Sequence, residues 1–105
     1  MELTFEWDPV KERSNLKSHN VTFKEATTVF NDEHGITIFD PDHSDSEDRL
    51  IIFGKSEMKR FMLVVHTYRH DIIRVISARK LTRKERIACE KEIIRRKGMR
   101  TTGGI

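Results

Sequence analysis

Two periods of apolar residues run along this chain, and their order predicts its elements. Leu3 to Glu6 reads as a short strand. Asp8 then suits an N-cap and Pro9 the first helical position, where its missing N–H costs nothing. A helix is expected from there to about Ser18, with a thin apolar face of Val10 and Leu16. Thr22-Phe23-Lys24-Glu25 has the form of a capping box, and Phe23, Ala26, Val29 and Phe30 give the three-and-four spacing of a second short helix packed on a core. Ile36 to Phe39 reads as a strand, Asp40 to Asp48 as a polar loop, and Arg49 to Phe53 as a strand ended by Gly54. Arg60 to Thr67 and Ile72 to Arg79 follow as strands around a turn at Tyr68 to Asp71, so the later strands read as an antiparallel meander. Thr82-x-x-Glu85 opens a last helix through Ile87, Ala88, Ile93 and Ile94 to about Lys97, where Gly98 is expected to stop it. The order predicts an α+β fold: a small antiparallel sheet, two N-terminal helices and a C-terminal helix in one domain over residues 1–97. Residues 98–105 are expected to form a flexible C-terminal tail.

Composition sharpens this picture. In 105 residues, 36% are hydrophobic and 35% charged, which predicts a modest core inside a heavily charged shell. The formal charge of +3 hides an asymmetry. Half of the 20 Lys and Arg lie between Arg79 and Arg100, opposed there by Glu85, Glu90 and Glu92, whereas Asp40, Asp42, Asp45, Glu47 and Asp48 cluster mid-chain. A basic end attracts polyanions, although a solvated helix face explains a charge run as well. The single cysteine, Cys89, excludes an intrachain disulfide, and no signal stretch or run long enough for a membrane span is present. A cytoplasmic protein with no membrane association is the expectation.

The candidate chemistry is cationic. His34, His43, His66 and His70 are scattered and match no zinc spacing, and the glycines form no phosphate loop, so no metal site and no cofactor are expected. What remains is a set of Lys, Arg and His groups beside a sheet, enough for general acid–base and electrostatic catalysis of phosphodiester cleavage. Strict alternation in Ile72 to Arg79 would put Arg74 and Arg79 on opposite faces unless a bulge intervenes. Arg79, at the strand end, is the first candidate. Arg74 competes with a structural reading, an ion pair with a carboxylate such as Asp40 or Asp48. Lys11 lies one helical turn before Asn15 on a polar stripe, and His19 follows at the helix end, where a cation also simply complements the helix dipole. His66 lies on an apolar strand face, where a lone histidine is more commonly a core residue. Tyr68 could stack on a base, and Arg83 and Arg86 could contact RNA. Trp7 reads most simply as a core anchor.

Trp7, Asp8, Lys11, Asn15, Lys17, His19, Val21 and Phe23 together resemble the opening of the BrnT family of bacterial toxins. Further likenesses are Phe30-Asn31-Asp32, Asp40-x-Asp42-His43-Ser44, Glu47-Asp48-Arg49, Gly54 and Arg74 to Arg79 followed by Arg83-x-Glu85-Arg86. The resemblance implies a RelE-like fold and an endoribonuclease that cuts RNA and arrests growth. It also implies neutralisation by a BrnA-type antitoxin, with operator DNA bound only through the antitoxin complex. The basic stretch after Arg86 departs from the family pattern. The rival expectations are a non-enzymatic nucleic-acid-binding regulator and an inactive toxin scaffold.

Overall fold

The computed structural model describes residues 2–41 and 48–103, with the side chains of 99–103 excepted. Asp42, His43, Ser44 and Glu47 of the family resemblance fall outside it. Asp8 caps the first helix as expected, accepting a hydrogen bond from the Val10 N–H at 2.9 Å. Helix α1 runs Pro9–His19 and ends on Asn20 in the left-handed conformation, φ 56°. A short strand, β1 (Thr4–Glu6), precedes it. Helix α2 (Phe23–Thr28) is capped by Thr22 and continues as a 3-10 turn over Val29–Asn31. Only half of the expected box forms there, because the Glu25 side chain turns inward. Glu12 reaches the α2 N-terminus from α1, where its Oε2 accepts the neighbouring Phe23 N–H at 3.2 Å.

Strands β2 (Ile36–Phe39), β3 (Leu50–Lys55), β4 (Phe61–Arg69) and β5 (Ile72–Lys80) form the expected meander. The sheet is nevertheless mixed: its order is β1-β5-β4-β3-β2, and β1 joins β5 in parallel. The connection from β1 through two helices is long enough to return the chain in either direction, so strand pattern alone did not decide it. Gly54 lies within β3 and does not end it. A Cβ there would come within 3.0 Å of Val29 Cγ1 and 3.1 Å of Asp32 Oδ2, so the glycine marks close packing of the 3-10 turn on the strand.

Helices α1 and α2 cover one face of the sheet. There Val21, Phe23, Ala26 and Val29 meet Ile52, Met62, Val64, Val75 and Ala78 in one buried cluster. Trp7 is only partly buried at its rim, edge-on to Phe23 with centroids 6.2 Å apart. Helix α3 (Arg83–Gly103) crosses the other face, with Ala88 and Cys89 over Ile36 and Phe53 and with Arg86 stacked 5.1 Å from the Phe61 ring centroid. Its cap is the reciprocal box read from Thr82 and Glu85, with bonds of 2.8 and 3.2 Å. The helix passes through Gly98 to Gly103 instead of stopping near Lys97. A glycine in a helix interior costs only about 1 kcal/mol, too little to break a helix of this length.

Candidate functional site

A bulge in β5 organises the site. Val65 pairs with Ser77, but the next residue of β4, His66, pairs with Val75, which leaves Ile76 as the extra residue. Val75 and Ala78, three apart, therefore both enter the same core cluster. Arg74, Ser77 and Arg79 are left together on the opposite face, that of α3. The strict alternation read from the sequence, which separated the two arginines, is broken at Ile76.

Beyond the three residues that β1 covers, the edge of β5 meets α1. Asn15 closes it. Its Nδ2 donates to the Ala78 carbonyl at 2.8 Å and to the Val21 carbonyl at 3.1 Å, while its Oδ1 accepts the Ala78 N–H at 3.1 Å. A carboxamide thus completes the ladder where a strand is missing, and Asn15 is a buried structural pin, not a member of an exposed polar stripe. Along this seam lies a cleft of about 230 Å³ lined by Lys11, Ser14, Ser18, His19 and the bulge residues Ile76 and Ser77. Lys11 and His19 are exposed, and neither is ion-paired among the described residues. Two turns of α1 together with Ser77 of β5 place an ammonium, an imidazole and three hydroxyls around a space roomy enough for a phosphate group. The serines had no motif to announce them. Asn15 did carry a signal, a poor helix former in a helix interior.

The other candidates are distributed elsewhere. Arg74 is paired, as its structural reading proposed, but with Glu6 across the β1–β5 register at 2.7 Å and not with Asp40 or Asp48. Arg79 makes a two-pronged bond to Glu85 at 2.8 and 2.9 Å, which ties β5 to the first turn of α3. The Arg79 guanidinium and the capping N–H of Thr82 hold the Glu85 carboxyl down to about 2. Both arginines flank Ser77 on its face, each facing a carboxylate. His66 is 1% exposed, edge-on to Phe30 with centroids 4.7 Å apart, and shares its face with the α1–α2 core. Its Nδ1–H donates to the Val64 carbonyl at 3.1 Å, and burial pushes its pKa down, so it sits neutral in the core away from the cleft. Tyr68 is exposed on that same face, opposite Arg74 and Arg79. Arg86 pairs with Glu90 at 3.4 Å besides covering Phe61, and Arg83 is exposed on α3. The structure thus brings Lys11 and His19 together beside Ser77 and leaves His66, Tyr68, Arg83 and Arg86 outside the cleft.

A second polar constellation escaped sequence reading. Glu25, 5% exposed, accepts from Arg60 Nε at 2.8 Å and from the Ser56 hydroxyl at 2.7 Å, and Arg60 Nη2 reaches its other oxygen. The Arg60 guanidinium holds the Glu25 carboxyl below its usual range. Both carboxylate oxygens are engaged within the chain, so the group fastens α2 to the β3–β4 turn. Among the described residues, no three His, Cys, Asp or Glu side chains assemble as a metal site, and no helix is long and apolar enough to cross a membrane.

Residues 7–85 match the family described as the ribonuclease toxin BrnT of type II toxin–antitoxin systems. No curated protein matches the sequence. The fold is similar to a crystal structure of the Brucella abortus ribonuclease toxin BrnT, with a TM-score of 0.59 over 78% of this chain and 100% of that one, at 19% identity. Helix α3 lies almost wholly beyond the matched residues. On the match across Trp7 to Glu85, the chain belongs to the BrnT family, the ribonuclease toxins of type II toxin–antitoxin systems.

Proposed function

We propose that this chain is the toxin of a type II toxin–antitoxin pair, a RelE-like, metal-independent endoribonuclease that arrests growth in the cytoplasm. A BrnA-type antitoxin neutralises it, and operator DNA is reached only through that complex. The observation that carries the reading is the α1–β5 cleft, where Lys11 and His19 face Ser77 in a member of a ribonuclease family. In this reading His19 takes the 2′-hydroxyl proton and the freed oxygen attacks the adjacent phosphorus. Lys11 and the hydroxyls of Ser14, Ser18 and Ser77 stabilise the charge on the phosphorane oxygens. Water supplies the proton with which the 5′-oxygen leaves, and His19 returns its proton to solvent, giving a 2′,3′-cyclic phosphate and a 5′-hydroxyl. Arg74 and Arg79 border Ser77 and serve as phosphate contacts insofar as each exchanges its carboxylate for the substrate. The buried, neutral His66 takes no part.

Labelled RNA incubated with antitoxin-free protein in EDTA tests this. Wild type is expected to cut, His19→Ala to lose about 100-fold or more in rate, and Lys11→Ala about 100-fold, with both variants retaining the wild-type melting temperature. Binding of RNA without cleavage by wild type would make the protein a nucleic-acid-binding regulator, and wild-type rates for His19→Ala would move the chemistry out of the cleft.

A further inference from the structure

Helix α3 presents a face of exposed cations and isoleucines to solvent. At 100° per residue, buried Cys89 marks the side toward the sheet. Glu85 and Glu92 lie near that side, and Glu90 on a flank. All three acids are engaged: Glu85 with Arg79, Glu90 with Arg86, and Glu92 with Arg95 and Arg96. The stripe on the far side is Lys84, Ile87, Lys91, Ile94 and Gly98, with Arg83 beside it and with Ile94 also bordering a cleft toward Asp32, His34 and Phe61. These positions alternate by three and four, the spacing of a helix–helix seam. Ile87 is 43% and Ile94 69% exposed. Arg83, Lys84 and Lys91 are exposed and have no ion-pair partner among the described residues. The helix's three acids are therefore engaged by arginines of α3 and β5, while cations without ion-pair partners among the described residues and two isoleucines face solvent.

We propose that this face docks an acidic amphipathic helix of the partner antitoxin. The inference rests on the toxin–antitoxin reading above and adds the place and chemistry of contact. Charge and shape select this occupant. A second copy of the chain would set Lys84 and Lys91 against lysines along the seam, a repulsion that helix pairs avoid. RNA phosphates would match the cations but leave Ile87 and Ile94 uncovered. A helix with apolar residues spaced to meet the isoleucines and with Glu or Asp opposite Lys84 and Lys91 satisfies both features. Because α3 lies almost wholly beyond the residues matched to the family, the contact also gives this toxin a means of distinguishing its own antitoxin from that of a relative.

The test uses the full chain and the purified protein encoded by the adjacent reading frame, with association and dissociation followed by stopped-flow at low and high salt. Ile87→Asp with Ile94→Asp is expected to weaken binding at least about tenfold, chiefly through faster dissociation. Lys84→Glu with Lys91→Glu is expected to slow association about fivefold at low salt and to reduce its salt dependence. Both variants, altered only on an exposed helix face, should cut RNA as wild type does and keep its melting temperature. Equal rate constants for wild type and both variants would overturn the docking face while leaving the toxin reading intact. Failure of the adjacent protein to bind wild type at all would overturn both. Loss of RNA cleavage with antitoxin binding unchanged would make the face an RNA contact, and a change in the oligomeric state of the free protein would make it a self-interface; either overturns the proposal.

Discussion

Under α1 and α2 the sheet is closed by Val21, Phe23, Ala26, Val29, Met62 and Val64, each wholly buried, whereas under α3 Cys89 alone among the described side chains of the helix is buried and the anchoring is done by side-chain pairs. The first face is a packed apolar interior and includes a neutral histidine. The second holds Arg74 with Glu6, Arg79 with Glu85, and Arg86 over Phe61. Burial on the first face supplies most of the stability available to so small a domain, since the hydrophobic term scales with apolar area removed from water. Partly exposed ion pairs contribute about 1 kcal/mol or less each, so the second face can change its partners at little cost to the fold. The difference teaches which face carries the fold and which is held by exchangeable pairs; the family match spans both faces of the sheet and stops as α3 begins.

The widest separation between the faces is expected from truncation. Phe23→Ala removes a wholly buried ring that also supports Trp7, and should cost about 3–5 kcal/mol, much of a small domain's stability. Ile93→Ala on the half-buried side of α3 should cost markedly less. Chemical denaturation of the two variants checks this, and equal losses would abolish the distinction.

A smaller effect is expected at the seam between helix and strand. Asn15→Ala strands the Ala78 N–H and two carbonyls, at an expected cost on the order of 2–4 kcal/mol. It should also loosen the Ile76 bulge, so that cleavage falls by more than the unfolded fraction explains. Amide exchange at Ala78 and the cleavage rate of the folded fraction report the two consequences separately. Protection and activity at wild-type levels would show that the bulge holds without its pin.

The smallest effects separate the faces by pH. Burial lowers the pKa of His66 in the folded state, so the unfolded chain binds that proton more readily and stability should begin to fall as pH drops below the ordinary imidazole value of 6.5. On the second face the Glu85 carboxyl is held near 2 against an ordinary 4.5. Its contribution is therefore complete above 4.5 and lost as pH falls toward 2. Thermal melts of wild type, His66→Phe and Glu85→Gln across this range should show the first loss abolished only by the histidine substitution and the second only by the glutamate one. Parallel profiles for all three would remove both groups as the titrating elements.

Much of this molecule is legible along its chain because local rules suffice there. Asp8-Pro9, Thr22 and the Thr82-x-x-Glu85 box announce helix starts through short-range hydrogen bonds, and the apolar runs around Ile52, Val64 and Val75 announce strands. The family, too, is written in spaced residues from Trp7 onward. What the chain alone could not decide depends on contacts between residues distant in sequence. The parallel pairing of β1 with β5, the turn of Glu25 toward Arg60, and the partners Glu6 for Arg74 and Glu85 for Arg79 are such contacts. The site shows this most clearly. Lys11 and His19 are legible as polar residues of one helix, but their meeting with Ser77 requires an extra residue at Ile76 and the bond from Asn15 to Ala78, 63 positions away. A bulge changes which side chains share a face without changing composition or periodicity enough to be read, so its place is set by tertiary packing.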